Sequence, residues 1–170
     1  MLDKKMLDAI NEQINWEIFS GYLYLSMAAQ FAELGMPGGQ NWMTSQYQEE
    51  LLHAQKMFDY IASRGGRVTL KAIAEPQTEW PDGLAMFTQA LEHEQVVTGR
   101  IHDLASLALE LKDHATYNFL QWFIAEQVEE EETAGDMVQK FTMAGEHPAG
   151  LYQLDKELAG RVFTPPAPAK

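Results

Sequence analysis

The chain has 170 residues and no cysteine, and its 12 lysine and arginine residues stand against 25 acidic ones, for a formal charge of −13. This length suits one domain, and the lack of cysteine excludes disulfides, thiolate zinc sites, iron–sulfur clusters and cysteine catalysis. The acidic balance argues against sequence-independent nucleic-acid binding, which depends on cations that neutralise phosphates. We find no apolar run of about 18 residues for a membrane span and no signal peptide, so we expect a cytoplasmic protein.

Five helices are predicted in chain order, and the sequence favours an all-α fold. Glycine and proline cluster in a few short segments, and the stretches between them are nearly free of both. These stretches carry apolar residues at alternating steps of three and four, a spacing typical of bundle helices. The predicted helices cover residues 4–34, 40–64, 83–111, 115–144 and, for a short fifth, 149–160. We assign residues 1–160 to one domain and residues 161–170 to a proline-rich C-terminal tail.

The lengths of the connections predict how the four long helices are arranged. The first and third connections are short, so each joins two antiparallel neighbours. The middle connection, residues 66–82, has 17 residues and reaches about 56 Å when extended. Because a 28-residue helix is about 42 Å long, this segment can run the length of the bundle. We therefore expect a four-helix bundle with one long crossover between helices two and three.

Polar residues interrupt all four apolar stripes at a similar height. They are Glu17 on the first helix, Glu50 on the second, Glu94 on the third, and Gln127 with Glu130 on the fourth. Burial of one ionised carboxylate costs several kcal/mol, so any one of them alone is better explained as a solvated or paired charge. Four at one depth require a common explanation.

The spacing of these residues supplies that explanation. Glu17 precedes Glu50 by 33 residues, and Glu94 precedes Gln127 by the same 33 residues, so the two helical hairpins repeat one arrangement. His53 follows Glu50 at i+3 and Glu130 follows Gln127 at i+3, which places each pair on one helix face. Four carboxylates and one imidazole in a bundle core predict a pair of divalent cations, with iron or manganese favoured and zinc as a competitor.

These motifs resemble those of the bacterial non-haem ferritins, and the likeness covers about residues 1–160. It includes Tyr24, which lies two turns beyond Glu17. The resemblance implies a ferritin-like bundle that oxidises ferrous iron with dioxygen or peroxide at a di-iron ferroxidase centre. It also implies storage of a ferric mineral inside a hollow homo-oligomer of 24 subunits, in which the fifth helix packs around a fourfold axis.

The resemblance also assigns individual roles. Glu17, Glu50 and His53 match the ligands of a first iron, and the bridging Glu50 with Glu94 and Glu130 match those of a second, with Gln127 beside it. Tyr24 and Trp122 match redox-adjacent aromatic residues. The acidic residues of a third iron site, on the cavity side of the bundle, match Glu49, Glu126, Glu129 and Glu130.

Related families are distinguished by the same motifs. Haem-binding bacterioferritins carry a second Glu-x-x-His and a methionine before the first histidine, whereas this chain has Gln127-x-x-Glu130 and Leu52, so we expect no haem. Rubrerythrins carry a cysteine-rich iron domain, which the lack of cysteine excludes here. The mini-ferritins build their site between subunits, whereas the polar residues of this chain lie on stripes within one bundle. Two other functions remain open from the sequence: a helical bundle that only buffers metal, and a di-iron oxidase that acts on an organic substrate.

Overall fold

The computed structural model describes residues 2–165, which form five helices and no strand. The helices are α1 (Lys4–Glu33), α2 (Pro37–Ser63), α3 (Gly83–Glu110), α4 (His114–Ala144) and α5 (Pro148–Leu158). The all-α four-helix bundle with a short fifth helix is thus confirmed.

The helices pack as two hairpins with a polar layer between two apolar regions. α1 packs most extensively on α2 and α3 on α4, while α5 contacts α2 and α4. One apolar cluster surrounds Met6, Ile10 and Ile14 of α1, and the other surrounds Met27 and Phe31. Because these clusters lie on opposite sides of residue 17, the acidic residues predicted to face the core occupy the middle of the bundle.

The crossover segment runs along α1, as its length predicted. Near its start, the amide nitrogen of Thr69 donates to Asn11 Oδ1 (2.7 Å), and farther along Ser26 Oγ donates to the carbonyl of Gln77 (2.7 Å). Trp80, near the end of the segment, is buried in the apolar cluster around Phe31. The segment therefore follows α1 at least from Asn11 to Ser26 and leads to the start of α3.

Both hairpin turns use one geometry but different residues. After α1 the turn residue is Gly35 with φ 72°, and after α3 it is Lys112 with φ 56°. In each turn the next amide donates a hydrogen bond to the carbonyl five residues back, Met36 to Phe31 (3.0 Å) and Asp113 to Ala108 (2.8 Å), the pattern of a Schellman cap. The left-handed conformation suits glycine, so Lys112 carries backbone strain that Gly35 does not.

The start of α2 differs from the prediction. The helix begins at Pro37, three residues before the expected residue 40, because proline fits the first helical position, where no amide donor is needed. Gly38 and Gly39, interpreted as part of the turn, lie inside the helix. A side chain at Gly39 would overlap the ring of Phe31, and one at Gly38 would overlap the backbone of Asp155. These glycines are thus explained by close packing against α1 and α5.

The chain beyond α5 has no regular secondary structure over residues 161–165, and the rest of the predicted proline-rich tail, residues 166–170, lies outside the described residues. Arg161 nevertheless packs against α2 and forms an ion pair with Glu49. Within residues 2–165, no helix is long and apolar enough to cross a membrane.

Candidate metal centre

The polar residues predicted to face the core are all buried in one layer of the bundle. The exposed fraction of the residue is 1% for Glu17, Glu50 and Glu94, and the remaining three are only slightly more accessible: His53 3%, Gln127 4% and Glu130 7%. Ionisable side chains are rarely this deeply buried unless they are paired or bind a metal. The layer is therefore the candidate functional site.

The first hairpin contributes a compact group of possible ligands. His53 Nδ1 lies 3.7 Å from Glu50 Oε2 and 4.0 Å from Glu17 Oε2. Among the described residues, these two carboxylate oxygens are buried without a hydrogen-bond partner. Two orphaned oxygens beside an imidazole nitrogen form a donor set that suits a borderline divalent cation.

The helices approach closely at this level. A side chain at Gly21 of α1 would come within 3.4 Å of Glu50 Cβ and 3.3 Å of the Tyr47 ring. The missing side chain lets the backbone of α1 lie against α2, which brings Glu17 and Glu50 together across the helix pair. Close packing of α1 against α2 thus explains why a glycine occupies position 21 of the apolar stripe.

The second hairpin contributes carboxylates that are already hydrogen-bonded. Glu94 accepts hydrogen bonds from the hydroxyl of Tyr24 and from Gln127 Nε2, the latter at 3.1 Å. Glu130 Oε2 accepts one from Gln46 Nε2 at 2.7 Å. These bonds hold both carboxylates in place, and a metal at this half of the site has to compete with, or extend, the existing contacts.

Burial dominates the electrostatics of the layer. Loss of hydration raises the pKa of Glu17, Glu50 and Glu94, most strongly for the first two, and repulsion between neighbouring carboxylates adds to the effect at Glu17 and Glu50. Burial, with repulsion from Glu94, raises the pKa of Glu130 to about 8. Such shifts arise because a low-dielectric core disfavours the charged form. A pair of divalent cations would reverse the balance by neutralising the carboxylates.

A chain of hydrogen bonds links the first hairpin to the surface. Arg100 Nε donates to Gln13 Oε1 (2.9 Å), and Gln13 Nε2 donates to Glu17 Oε1 (2.8 Å). Gln13 is 1% exposed, whereas Arg100 is half-buried beside a surface cavity of about 250 Å³. Only Oε1 of Glu17 is engaged, so Gln13 orients this carboxylate and leaves Oε2 directed to His53.

The four residues of the expected third site are not equivalent in the structure. Ligand atoms of Glu126, Glu130 and His53 lie within 4.8 Å of one another. Glu49, by contrast, forms an ion pair with Arg161, and Glu129 is exposed. The structure thus brings Glu126 to the edge of the buried layer, whereas it pairs Glu49 with the guanidinium of Arg161.

Aromatic residues border the layer. Trp122 packs edge-on against the His53 ring with 5.5 Å between centroids, and Lys56 Nζ lies 3.9 Å from the centre of the Trp122 ring. His93, to which the sequence assigned no metal role, lies with Nε2 2.7 Å from Ser20 Oγ. Burial lowers its pKa to about 4, so it is neutral at pH 7.

Sequence analysis missed Gln13, Gln46 and Arg161, although the two glutamines carried a signal. Gln13 and Gln46 each precede a buried glutamate by four residues and are themselves 33 residues apart, the interval that relates Glu17 to Glu50. The corresponding positions of the second hairpin hold Ala90 and Phe123. Arg161 carried no comparable signal, because only the folded chain brings the segment after α5 to α2.

The known proteins that this chain resembles in sequence and in fold are ferritins. The ferritin-like domain family matches residues 7–144. A bacterial non-heme ferritin of Staphylococcus haemolyticus is 40% identical over 163 residues, which cover 96% of this chain and 98% of that protein. An engineered closed form of the Archaeoglobus fulgidus ferritin is 55% identical, with a TM-score of 0.95 and coverage of 96% of this chain and 100% of the other.

An open-pore ferritin from the same hyperthermophilic archaeon is 54% identical, with a TM-score of 0.94, and the match covers 95% of this chain and 100% of that one. The sequence matches, the fold matches and the buried glutamate–histidine layer all indicate the same family. This chain belongs to the ferritin-like domain family.

Proposed function

We propose that this protein stores and detoxifies iron: it oxidises ferrous iron at a di-iron ferroxidase centre within each subunit and retains the product as a ferric mineral. The observation that carries the proposal is the pair of buried, unpartnered oxygens on Glu17 and Glu50 beside His53 Nδ1. A buried polar atom without a partner destabilises the fold, and a bound divalent cation removes that cost. The relatives, which include bacterial non-heme ferritins, favour iron as the cation.

Glu17, Glu50 and His53 hold the first iron in this proposal, and Glu94 with Glu130 hold the second, with Gln127 beside it. Glu50 is the bridge, because its carboxylate lies in the group with His53 and also feels the charges of Glu94 and Glu130. Two ferrous ions supply two electrons, which reduce dioxygen to peroxide or peroxide to water with the uptake of two protons. The carboxylates stabilise the higher charge of the ferric products.

The residues around the ligands set their geometry. Tyr24 and Gln127 donate to Glu94, and Gln46 donates to Glu130, so the second half of the centre is oriented by hydrogen bonds before metal arrives. Burial and the negative charge of Glu94 raise the pKa of Tyr24, which keeps its hydroxyl protonated beside the site. In this proposal Tyr24 and Trp122 supply electrons during oxidation, and no haem takes part.

A third, weaker iron site of Glu49, Glu126, Glu129 and Glu130 lies on the route from the centre to the cavity of a shell in this proposal. We further propose a homo-oligomeric shell of 24 subunits. Large exposed apolar side chains, such as Tyr152 at 63% and Val128 at 65%, are consistent with subunit contacts. Open-pore and closed forms of the archaeal relative also favour a hollow assembly.

The proposal is tested by adding ferrous iron to metal-free protein in air and following oxygen consumption, particle size and iron content. We expect rapid oxygen uptake and several hundred iron atoms retained in each particle. Ferrous binding without oxygen consumption would favour a metal buffer instead. Oxidation without retained mineral would favour an oxidase that acts on another substrate.

A further inference from the structure

We propose that Arg161 acts as a tethered cation that competes with the third metal ion for Glu49. This inference rests on the proposed function, because it concerns the regulation of the third site within that ferroxidase. The sequence predicts Glu49 as a metal ligand, yet the folded chain gives its carboxylate to the guanidinium of Arg161. Arg161 engages Oε2 of Glu49, so a divalent cation on the same carboxylate would lie close to the positive guanidinium, and each would weaken the binding of the other.

Arg161 is held by contacts on one face of α2. Besides the ion pair with Glu49, its guanidinium carbon lies 4.1 Å from the centre of the Trp42 ring, a favourable cation–π distance. Trp42 and Glu49 are seven residues apart and so share one side of the helix. Asn41 Nδ2 also donates to the carbonyl of Arg161 at 2.9 Å. Three adjacent contacts make this position a built feature of the fold.

The guanidinium remains incompletely satisfied. The Arg161 side chain is 18% exposed, and among the described residues its Nη1 is buried without a hydrogen-bond partner. A cavity of about 360 Å³ lies beside it and is lined in part by Trp42, Thr133 and Met137. Arg161 therefore gives up few hydrogen bonds when it leaves Glu49, and the cavity offers the displaced side chain room.

The charge of Arg161 also reaches the main layer. It lies near enough to Glu130 to oppose the rise of that carboxyl's pKa. Burial, together with the negative charges of Glu129 and Glu49, in turn raises the pKa of Glu126. Without a third metal ion, the guanidinium thus balances part of the acidic rim. When iron reaches the rim, it has to displace Arg161, which makes this site weaker than the two buried ones.

The test is an anaerobic titration of the metal-free assembly with ferrous iron, followed by calorimetry, for the wild type, Arg161→Gln and Lys140→Gln. Lys140 is the matched control, because its ion pair with Glu157 at 2.6 Å ties α5 to α4, as the Arg161 pair ties the segment after α5 to α2, but Lys140 does not touch Glu49. We expect Arg161→Gln to strengthen the weak third site by roughly tenfold, through loss of one competing charge. Both variants should retain the two tight sites, and Lys140→Gln should match the wild type throughout.

A second comparison separates competition from a change in folding. In a Glu49→Gln background, Arg161→Gln should affect the third site much less, because the contested carboxylate is gone and only the charge effect of Arg161 on Glu130 remains. If Arg161→Gln fails to assemble, Arg161→Lys serves in its place and should give a smaller gain, since lysine keeps the charge but loses the planar fork. A third-site affinity that is unchanged or lower in the arginine variant, with two tight sites intact, overturns the inference alone. A wild type without tight sites overturns the proposed function and the inference with it.

Discussion

The two helical hairpins carry the same spacing of buried polar residues, yet they prepare them differently. In the α1–α2 hairpin, Glu17 and Glu50 each leave one buried oxygen unpartnered beside His53. In the α3–α4 hairpin, Glu94 and Glu130 are held by hydrogen bonds from residues of both hairpins. The α1–α2 half of the layer therefore has free carboxylate oxygens for a cation, whereas the carboxylates of the α3–α4 half are already hydrogen-bonded to protein side chains.

The origin of this difference lies one helical turn before the ligands. Gln13 and Gln46 precede Glu17 and Glu50 by four residues, whereas Ala90 and Phe123 occupy the same positions before Glu94 and Gln127. Gln13 donates to Glu17 on its own helix, whereas Gln46 donates across the bundle to Glu130. Ala90 and Phe123 have no side-chain donor to offer the first half in return, so Glu17 and Glu50 each keep an unpartnered oxygen. We infer that a first metal binds the α1–α2 half tightly and that the second half fills less readily.

The largest expected effect comes from removing the bridge between the halves. In the proposed centre Glu50 is shared by both ions, so Glu50→Ala should lower the initial rate of ferrous oxidation by roughly 100-fold or more. Stopped-flow measurement with two ferrous ions per subunit gives this rate. An anaerobic titration in which Glu50→Ala keeps two unchanged tight sites would contradict the bridging role.

Removing a ligand from the second half alone sharpens the comparison. Glu130→Ala should keep the first tight site and lose the second, because only the α3–α4 half loses a carboxylate. Glu131→Ala is the matched control, since this neighbour lies outside the layer and accepts a hydrogen bond from Thr98. The measurement is the number of tightly bound ferrous ions without oxygen. Equal loss at both sites would show that the halves do not fill independently.

The stability of the metal-free protein should depend on pH. Folding raises the pKa of the buried carboxyls, to about 8 for Glu130, so the folded state binds their protons more tightly than the unfolded state. Stability should therefore be greatest below about pH 4.5 in this respect and fall toward pH 8, by about 1.4 kcal/mol per pH unit for each carboxyl still protonated.

Thermal unfolding with a chelator, from pH 5 to 8, tests this dependence. Glu50→Gln serves as the control, because it removes one raised carboxyl and should flatten the profile. Ferrous iron under anaerobic conditions should restore stability at the higher pH, since it binds only the folded chain. A melting temperature of the metal-free protein that rises across this range would exclude the expected effect.

Disrupting the orientation of the first half should have a moderate effect. Gln13→Leu breaks the contact between Arg100 and Glu17 and should weaken the first site by about tenfold, as loss of a residue that orients a ligand does. Gln55→Leu is the matched control, because Gln55 makes the same i to i+4 bond, to Asp59, on an exposed surface. If both variants bind iron equally well, Gln13 has no orienting role.

The smallest expected effects lie in the hairpin turns. Lys112→Gly should stabilise the fold by about 0.5–1 kcal/mol through relief of the left-handed strain, and Gly35→Ala should destabilise it by a similar amount. A side chain at Gly35 meets no atom within 4 Å, so the change there isolates the backbone term. Denaturant unfolding of both variants measures the pair, and effects of the same sign would show that the turns are not equivalent.

The sequence by itself determined the number of helices, their approximate ends and which polar residues face the core. The alternation of three and four residues fixes one side of each helix, so Glu17, Glu50, Glu94 and Gln127 had to be buried once the apolar stripe was. The crossover followed from chain length alone. The start of α2 was misplaced, because glycines that serve close packing look the same in the sequence as glycines that serve a turn.

Only the tertiary structure decided how the buried residues contact one another. The bonds from Tyr24 to Glu94 and from Gln46 to Glu130 join positions 70 and 84 residues apart, and the pairing of Arg161 with Glu49 joins positions 112 apart. Local periodicity specifies the direction of a side chain from its own helix axis, whereas such contacts depend on the relative rotation and height of different helices. Those quantities are set by packing across the whole core.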